Sequence, residues 1–325
     1  MTQRSVAIVG GGAAGLAAAI SSAREAASWG HDLDVCIYES ADKIGRPLLA
    51  TGNGRCNFSN AELVGPCVDG SVYYNADFVS KVLAASAEVS DKGSYPNPVQ
   101  AFFADLGMLW RTEGEGRMYP VTGKATTVRE LLCAACERLG VRTECEWPVE
   151  RLVPPEEGNG RWHLHARDGR VAHADAVIIC CGGHGALQAM RKLPGDVPVR
   201  KRQDILGPLA VEEPAVRGLD TIRVRALVGL ERDGAALVAE RGEVLFRSYG
   251  VSGVCIFNLS RWAQPSDVLT IDLLPDLTHD QLETWLYEQK YRLESEGRIA
   301  RVRDVLSGAV VPALRRAVCD AAGAD

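Results

Sequence analysis

The sequence predicts an α/β fold: a parallel sheet with a small antiparallel meander beside it, then a second part that is β-rich and finally helical. Three observations predict it. Ser5 to Glu39 reads as strand, glycine turn, helix, strand and acid. Ala176-Val177-Ile178-Ile179-Cys180-Cys181 is a continuous apolar run ending on Gly182-Gly183, which suits a strand buried on both faces of a parallel sheet. From His184 the texture changes to short strands, and from Thr278 to helical periodicity.

The first stretch carries the most chemistry. Ser5-Val6-Ala7-Ile8-Val9 is a short β-type run that meets Gly10-Gly11-Gly12-Ala13-Ala14-Gly15. Gly10 permits the tight turn out of the strand. Gly12 has no side chain, so a pyrophosphate can approach the backbone, and Gly15 lets the helix pack closely on the strand. The helix start offers open N–H groups and a positive dipole end to phosphates. Leu33 to Tyr38 is the second strand, and Glu39 sits where a carboxylate accepts hydrogen bonds from a ribose. A bare GxGxxG is weak, but this one has its strand, helix and acid in place, which makes it a dinucleotide-binding fingerprint.

A second glycine-rich loop follows, Thr51-Gly52-Asn53-Gly54-Arg55-Cys56-Asn57. Its open amides, one permanent cation and hydrogen-bonding side chains suit a phosphate or a polar ring edge. Residues 76 to 90 read as a helix with Phe78, Val79, Val82 and Leu83 on one side. Asn97-Pro98 opens another, ended by Gly107. Gly116 to Pro120 reads as extended. Thr127-Val128-Arg129-Glu130 reads as a capping box that starts a helix ending at Gly140. Val141 to Val153, Arg161 to Ala166 and Arg170 to Ala172 form the expected meander, with a turn at Asp168-Gly169.

The boundary is expected near residues 184 to 200, giving domains 1–190 and 191–325. In the second, residues 209 to 273 read as short strands with turns at Asp233-Gly234 and Arg241-Gly242. Thr278-His279-Asp280-Gln281 is a capping box before a helix carrying Leu282, Trp285, Leu286 and Gln289.

Bulk composition narrows the function. The 325 residues are 46% hydrophobic and 24% charged, as in an ordinary soluble globular protein. A net charge of -6 argues against a dedicated nucleic-acid binder. Glycines interrupt the N-terminal apolar run, which sets aside a signal peptide. No apolar run reaches the ~18 residues of a membrane span, so a cytoplasmic protein is expected. Ten cysteines suggest reduced thiols rather than a disulfide framework. Cys133-Ala134-Ala135-Cys136 has no second pair at zinc spacing and reads as core. His163 and His165 share one strand face, and no metal site is expected.

Several stretches in order resemble the flavoprotein family labelled aminoacetone-oxidase-like, NAD(P)/FAD-dependent oxidoreductases that include a flavoprotein linked to bile-acid dehydroxylation. They are Gly10 to Gly15 with Glu39, Gly45-Arg46, Thr51 to Asn57, and Gly116-Arg117 with Tyr119-Pro120, Lys124 and Ala125. Gly182-Gly183, Gly242 to Phe246, Tyr249 to Gly253 and Asn258 to Arg261 continue the series. The resemblance implies a Rossmann-like FAD-binding domain interrupted by an inserted domain, β-barrel-like and helical. It also implies that Gly10, Gly12, Ala13, Ala14 and Gly15 hold the pyrophosphate, with Glu39 and Ser40 at the adenosine ribose. Gly45, Arg46 and Thr51, Gly52, Asn53, Gly54, Arg55, Cys56 and Asn57 would run beside the pyrophosphate, ribityl chain and flavin. Val149 would lie near the adenine, and Cys181, Gly182 and Gly183 would pass under the cofactor.

The expected activity is that of an FAD-dependent oxidoreductase acting on a small molecule, its flavin reduced by transiently bound NAD(P)H. Acid–base candidates near the ring are Arg55, Cys56, Arg117 and Tyr119. The sequence departs from the family pattern at Pro47, where a lysine is usual, and at Cys180-Cys181, where Ala-Thr is usual. It also ends at Asp325, within what the resemblance makes the inserted domain, before the glycine-rich return segment that closes over the flavin. The alternative reading is therefore a truncated, non-catalytic flavoprotein-like fragment. An NAD-only dehydrogenase would leave Thr51 to Asn57 without a role, and the acidic balance disfavours a nucleic-acid-interacting flavoprotein.

Overall fold

The computed structural model describes residues 3–61, 63, 76–88, 95, 98–155, 160–182, 206–211, 216 and 218–324. The chain divides into two compact units, Met1–Arg200 and Lys201–Asp325. Asn97, Gly183 and the interval 184–200 lie outside the described residues.

The first unit is built on strands β1 (Arg4–Val9) and β2 (Leu33–Tyr38), joined through helix α1 (Ala13–Ser28). They pair in parallel from Arg4 with Leu33 to Val9 with Tyr38. Side chains alternate across the sheet. Ile8, Val35 and Ile37 face Leu16, Ala19 and Ile20 of α1 and Val128 and Leu132 of helix α4 (Ala125–Arg138). Ala7, Val9, Cys36 and Tyr38 enter a second cluster with Trp147, Leu152 and Leu164. Both faces are covered from Val6 in β1 and from Val35 in β2, which is why those stretches are continuous apolar runs. Burying side chains such as Ile8, Ile20 and Ile37 stabilises the unit by about 1.5–3 kcal/mol each.

Between β2 and α4 lie β3 (Ser59–Asn60), α2 (Ala76–Glu88), α3 (Pro98–Asp105), β4 (Trp110–Thr112) and β5 (Arg117–Pro120). Strands β3, β5 and β4 form a small antiparallel sheet. Then come β6 (Arg142–Glu144), β7 (Val149–Val153), β8 (Trp162–Ala166), β9 (Val171–Ala174) and β10 (Ala176–Ile179). The main sheet runs β10-β1-β2-β6, and β7-β8-β9 is a separate antiparallel sheet.

Three expectations need correction. The stretch 141–153 is not one strand of the meander. Glu146 adopts φ 51°, and Trp147 N–H bonds the Glu39 carbonyl at 2.8 Å. This splits the stretch, so β6 joins the parallel sheet and only β7 joins the antiparallel one. The box at Thr127 is unused. α4 starts at Ala125, whose side chain is fully buried, and the Thr127 hydroxyl pairs with Thr122 at 2.8 Å. The α2 helix is present as expected, with Phe78 and Val82 exposed on it. β10 is an edge strand among the described residues, so its side chains are half-buried rather than covered on both faces.

Arg142 holds the β2–β6 edge. Its Nε and Nη2 donate to the two carboxylate oxygens of Asp34 at 2.9 and 2.8 Å. Those bonds hold the Asp34 carboxyl below its ordinary 3.8. A depressed carboxyl contributes stability above its unfolded-state pKa and loses it as pH falls through the folded value. Arg142→Ala is therefore expected to cost about 0.5–1 kcal/mol at neutral pH for this half-exposed pair. In strong acid the difference should vanish. Urea unfolding at the two pH values checks this; an equal loss at both would remove Asp34 as the cause.

The second unit holds an antiparallel sheet of order β11-β14-β13-β12-β15. Its strands are β11 (Leu209–Ala210), β12 (Arg223–Arg232), β13 (Ala235–Arg247), β14 (Gly250–Ser252) and β15 (Val268–Asp272). Asp233 (φ 52°) and Gly234 (φ 78°) make the two-residue hairpin turn expected there. The turn expected at Arg241-Gly242 does not exist: β13 runs through it, with Gly242 opposite Ala226. Glycine stands there because a Cβ would lie 2.9 Å from the Cβ of Cys255. Cys255, Ile256 and Leu259, from the helix Val254–Leu259, pack on Ala226, Val228, Val244 and Phe246. The helices His279–Ser295, Val302–Val305 and Pro312–Ala322 follow. The first carries the expected capping box: Thr278 Oγ1 accepts from Gln281 N at 3.2 Å, and Gln281 Oε1 accepts from Thr278 N at 2.9 Å. Among the described residues, no helix is long and apolar enough to cross a membrane.

Candidate functional site

The site grows out of the end of β1. Gly10 turns with φ 104°, and its N–H bonds the Tyr38 carbonyl at 2.8 Å. A Cβ on Gly10 would lie 2.6 Å from the Cys180 carbonyl oxygen, and one on Gly15 only 1.9 Å from the Gly10 oxygen. These two glycines are required by the protein's own backbone. Gly12 differs: a Cβ there would meet nothing within 4 Å. Its absence leaves open space in front of the helix. Ala13 and Ala14 begin α1, with Gly12 as N-cap, no side-chain cap and no acid in the first turn. The end facing that space therefore carries uncompensated N–H groups.

Glu39 closes the other side. Its Oε2 accepts from Gly11 N at 2.6 Å, and its Oε1 accepts from Ala41 N at 2.8 Å and from the Ser40 hydroxyl at 3.1 Å. Gly45 (φ 72°) donates to the Gly11 carbonyl at 2.7 Å, bringing the second loop onto the first. Arg129 Nε donates to the Ile44 carbonyl at 2.8 Å and fixes this junction. Arg46 pairs with Asp42 at 3.3 Å. Val149 packs in the cluster of Tyr38 and Trp147, beside the strand end that carries Glu39.

The second loop is tightly folded. Residues 46–54 form a 3₁₀ segment broken at Thr51, and Gly52, Asn53, Gly54 and Cys56 all have positive φ. A Cβ on Gly52 would sit 2.9 Å from Asn57 N. Thr51 Oγ1 donates to the Leu48 carbonyl at 2.6 Å, and Asn57 Oδ1 accepts from Met118 N at 3.2 Å. Arg55 is an anchored cation. Its guanidinium lies 4.0 Å from the ring centroid of Tyr119 and is ion-paired to Glu113, which also accepts from Arg111 at 3.0 Å. The Arg55 contact holds the Glu113 carboxyl below its usual range. Cys56 is buried, and burial pushes its thiol up, so it packs as a neutral thiol rather than a nucleophile. Arg117 Nε donates to the Gly114 carbonyl at 2.9 Å.

Cys180 and Cys181 lie at the end of β10, against Gly10. Cys180 joins the cluster of α1 and Cys181 the cluster of Trp147. They face opposite sides of the strand, and burial raises both thiols. Gly182 follows with φ 67°. Cys133 and Cys136 lie within α4 as free thiols. Among the described residues, no group of three or more His, Cys, Asp and Glu is arranged to hold a metal ion.

Two contributors escaped the sequence. Glu113 lies 58 residues from its partner Arg55, and no local motif marks it. Arg129 looked like part of a capping box.

A parallel β-α-β unit with this turn and acid defines a Rossmann-type dinucleotide-binding protein. The donor set fits such a ligand: open space at Gly12, an uncapped helix start, and a carboxylate on the far side. More particularly, the chain belongs to the HI0933-like family. The model of the HI0933-like protein Rossmann domain matches residues 4–189, and that of the HI0933-like protein barrel and H2TH domain matches residues 206–310. The chain is similar to a 3-dehydro-bile acid delta(4,6)-reductase of Clostridium scindens, 29% identical over 85% of this chain and 66% of that one. It is similar to a ribosomal RNA dihydrouridine synthase of Escherichia coli, 24% identical over 87% of this chain and 66% of that one. The chain thus spans just under two thirds of the length of these relatives. Among solved structures, THI4 of Thermovibrio ammonificans matches 58% of this chain and 61% of its own at 16% identity and a TM-score of 0.36.

Proposed function

We propose that this chain forms the FAD-binding part of a flavin-dependent oxidoreductase that acts on a small molecule, with NAD(P)H as the transient reductant. The observation that carries this reading is the glycine turn, where Glu39 reaches Gly11 N at 2.6 Å beside an uncapped helix start. FAD, when bound, supplies the electron-carrying chemistry. The residues bind and orient. Gly10 to Gly15 and the first turn of α1 take the pyrophosphate, and Glu39 exchanges its amide partner for ribose hydroxyls. Gly45, Arg46 and the loop Thr51 to Asn57 would line the next part of the cofactor, with Val149 near the adenine and Cys181 and Gly182 at the strand end beside it. Arg55, clamped by Glu113 and Tyr119, provides a fixed positive charge. Arg117 and Tyr119 remain the acid–base candidates, and Cys56 packs.

The names of the relatives support a narrower statement. A delta(4,6)-reductase and a dihydrouridine synthase both saturate a carbon–carbon double bond, so the proposed reaction is reduction of such a bond in a small molecule. A second reading, reduction of a uridine in RNA, is favoured by the likeness to the dihydrouridine synthase. The net charge of -6 weighs against it. No nucleic-acid or membrane partner and a cytoplasmic location belong to the first reading.

An absorbance spectrum of the purified chain tests it. Flavin bands are expected, released by heat as FAD and bleached anaerobically by NADH or NADPH. A colourless chain that stays colourless after refolding with excess FAD would overturn the reading and favour the non-catalytic fragment. Quenching of NADH fluorescence by a flavin-free chain would point to an NAD-only dehydrogenase.

A further inference from the structure

Three of the six histidines of the chain share one face of the β7-β8-β9 sheet. His163 on β8 stands directly opposite His173 on β9, and His165 lies two residues further along β8. Ala166 N–H donates to the Arg170 carbonyl at 2.9 Å, closing the hairpin. Counting from that bonded pair in alternation, His163 and His173 occupy a non-hydrogen-bonded position, where cross-strand side chains are closest. Their ring centroids are 4.4 Å apart. The inward-pointing neighbours Leu164 and Ala174 are buried, whereas His163 and His173 are exposed. None of the three imidazoles hydrogen-bonds to a protein group among the described residues.

We propose that His163 and His173 form a two-imidazole site for a first-row divalent cation of the zinc, nickel or copper class, with water completing the coordination. Imidazole is the side chain these cations prefer among nitrogen ligands, and the β8–β9 ladder holds the two rings together, edge to face at 87°, without ordering a loop. His165, with its ring centroid 6.4 Å from that of His163, stands outside the pair. The charged groups around the cluster come from two strands and their approach. Arg151 on β7 is the register partner of His165, and Arg161 donates to the His173 carbonyl at 3.3 Å. The site is independent of the flavin reading, since none of its residues belongs to the cofactor loops.

Nickel is the suitable probe, because the half-buried thiols of Cys133, Cys145, Cys180 and Cys181 would compete for zinc and reduce copper. The intact chain is titrated with Ni²⁺ by calorimetry at neutral pH and again well below the imidazole range of about 6.5. One site is expected at neutral pH, lost on acidification. His163→Gln and His173→Gln should each weaken it by at least about tenfold, since even outer partners of metal ligands carry that much. The double variant should bind no more tightly than background, and His165→Gln should change little. Circular dichroism without metal should be unchanged in the His163 and His173 variants, because both positions are exposed. Nickel binding that survives in both single variants, or that disappears instead with His31→Gln or His279→Gln, would overturn the proposal.

Discussion

Replacing Gly15 by alanine is expected to destroy the glycine turn and cofactor binding together. The new Cβ would lie 1.9 Å from the Gly10 carbonyl oxygen and 3.0 Å from its carbon. Both are backbone atoms of a turn already fixed by the Gly10–Tyr38 hydrogen bond, so no side chain can rotate away. Overpacking in a tight interior costs about 1–3 kcal/mol, and backbone against backbone belongs at the upper end. About 3 kcal/mol corresponds to more than a hundredfold in binding, and the melting temperature should fall with it. Gly12→Ala is the informative contrast. Its Cβ meets no protein atom within 4 Å, so the folded chain should keep its melting temperature while its affinity for FAD drops. Thermal unfolding and FAD titration of the two variants separate these effects. If Gly12→Ala binds FAD as the parent chain does, the pyrophosphate does not lie at this turn.

The second large effect is expected at Gly253. It holds φ 125°, and a Cβ there would stand 2.1 Å from the Glu243 carbonyl oxygen. Gly250 is similar, with φ 149° and the Leu209 oxygen at 2.1 Å. A strained dihedral costs about 1–3 kcal/mol and the clash adds a comparable amount, so Gly253→Ala should lose about 3–5 kcal/mol. The loss should be confined to the second unit. Hydrogen exchange should speed up in residues 223–247 and stay slow in residues 4–38. Unchanged protection of β12 and β13 would show that the segment can shift to make room.

The pattern of what the sequence revealed follows from how local each cause is. The turn at Gly10 to Gly15 was legible because its strand, glycines, helix start and acid stand in one short stretch, although the Cys180 carbonyl that requires Gly10 comes from far along the chain. The Asp233-Gly234 hairpin and the Thr278 capping box were legible for the same reason. Gly242 was misread because the reason for it is Cys255, thirteen residues on, which arrives from a helix. The break at Glu146 was hidden because Trp147 is recruited by Glu39 from more than a hundred residues away. Glu113 was invisible in the candidate site: a lone acid in a loop has no signature until the fold brings Arg55, Arg111 and Tyr119 around it.

The burial of cysteines has a practical consequence. Cys36, Cys56 and Cys136 are sealed in the first unit, and Cys255 and Cys319 in the second. Each is shielded from solvent, so alkylation must wait for local opening. A pulse of iodoacetamide followed by peptide mapping would then time the breathing of each half of the molecule separately, with no foreign label introduced.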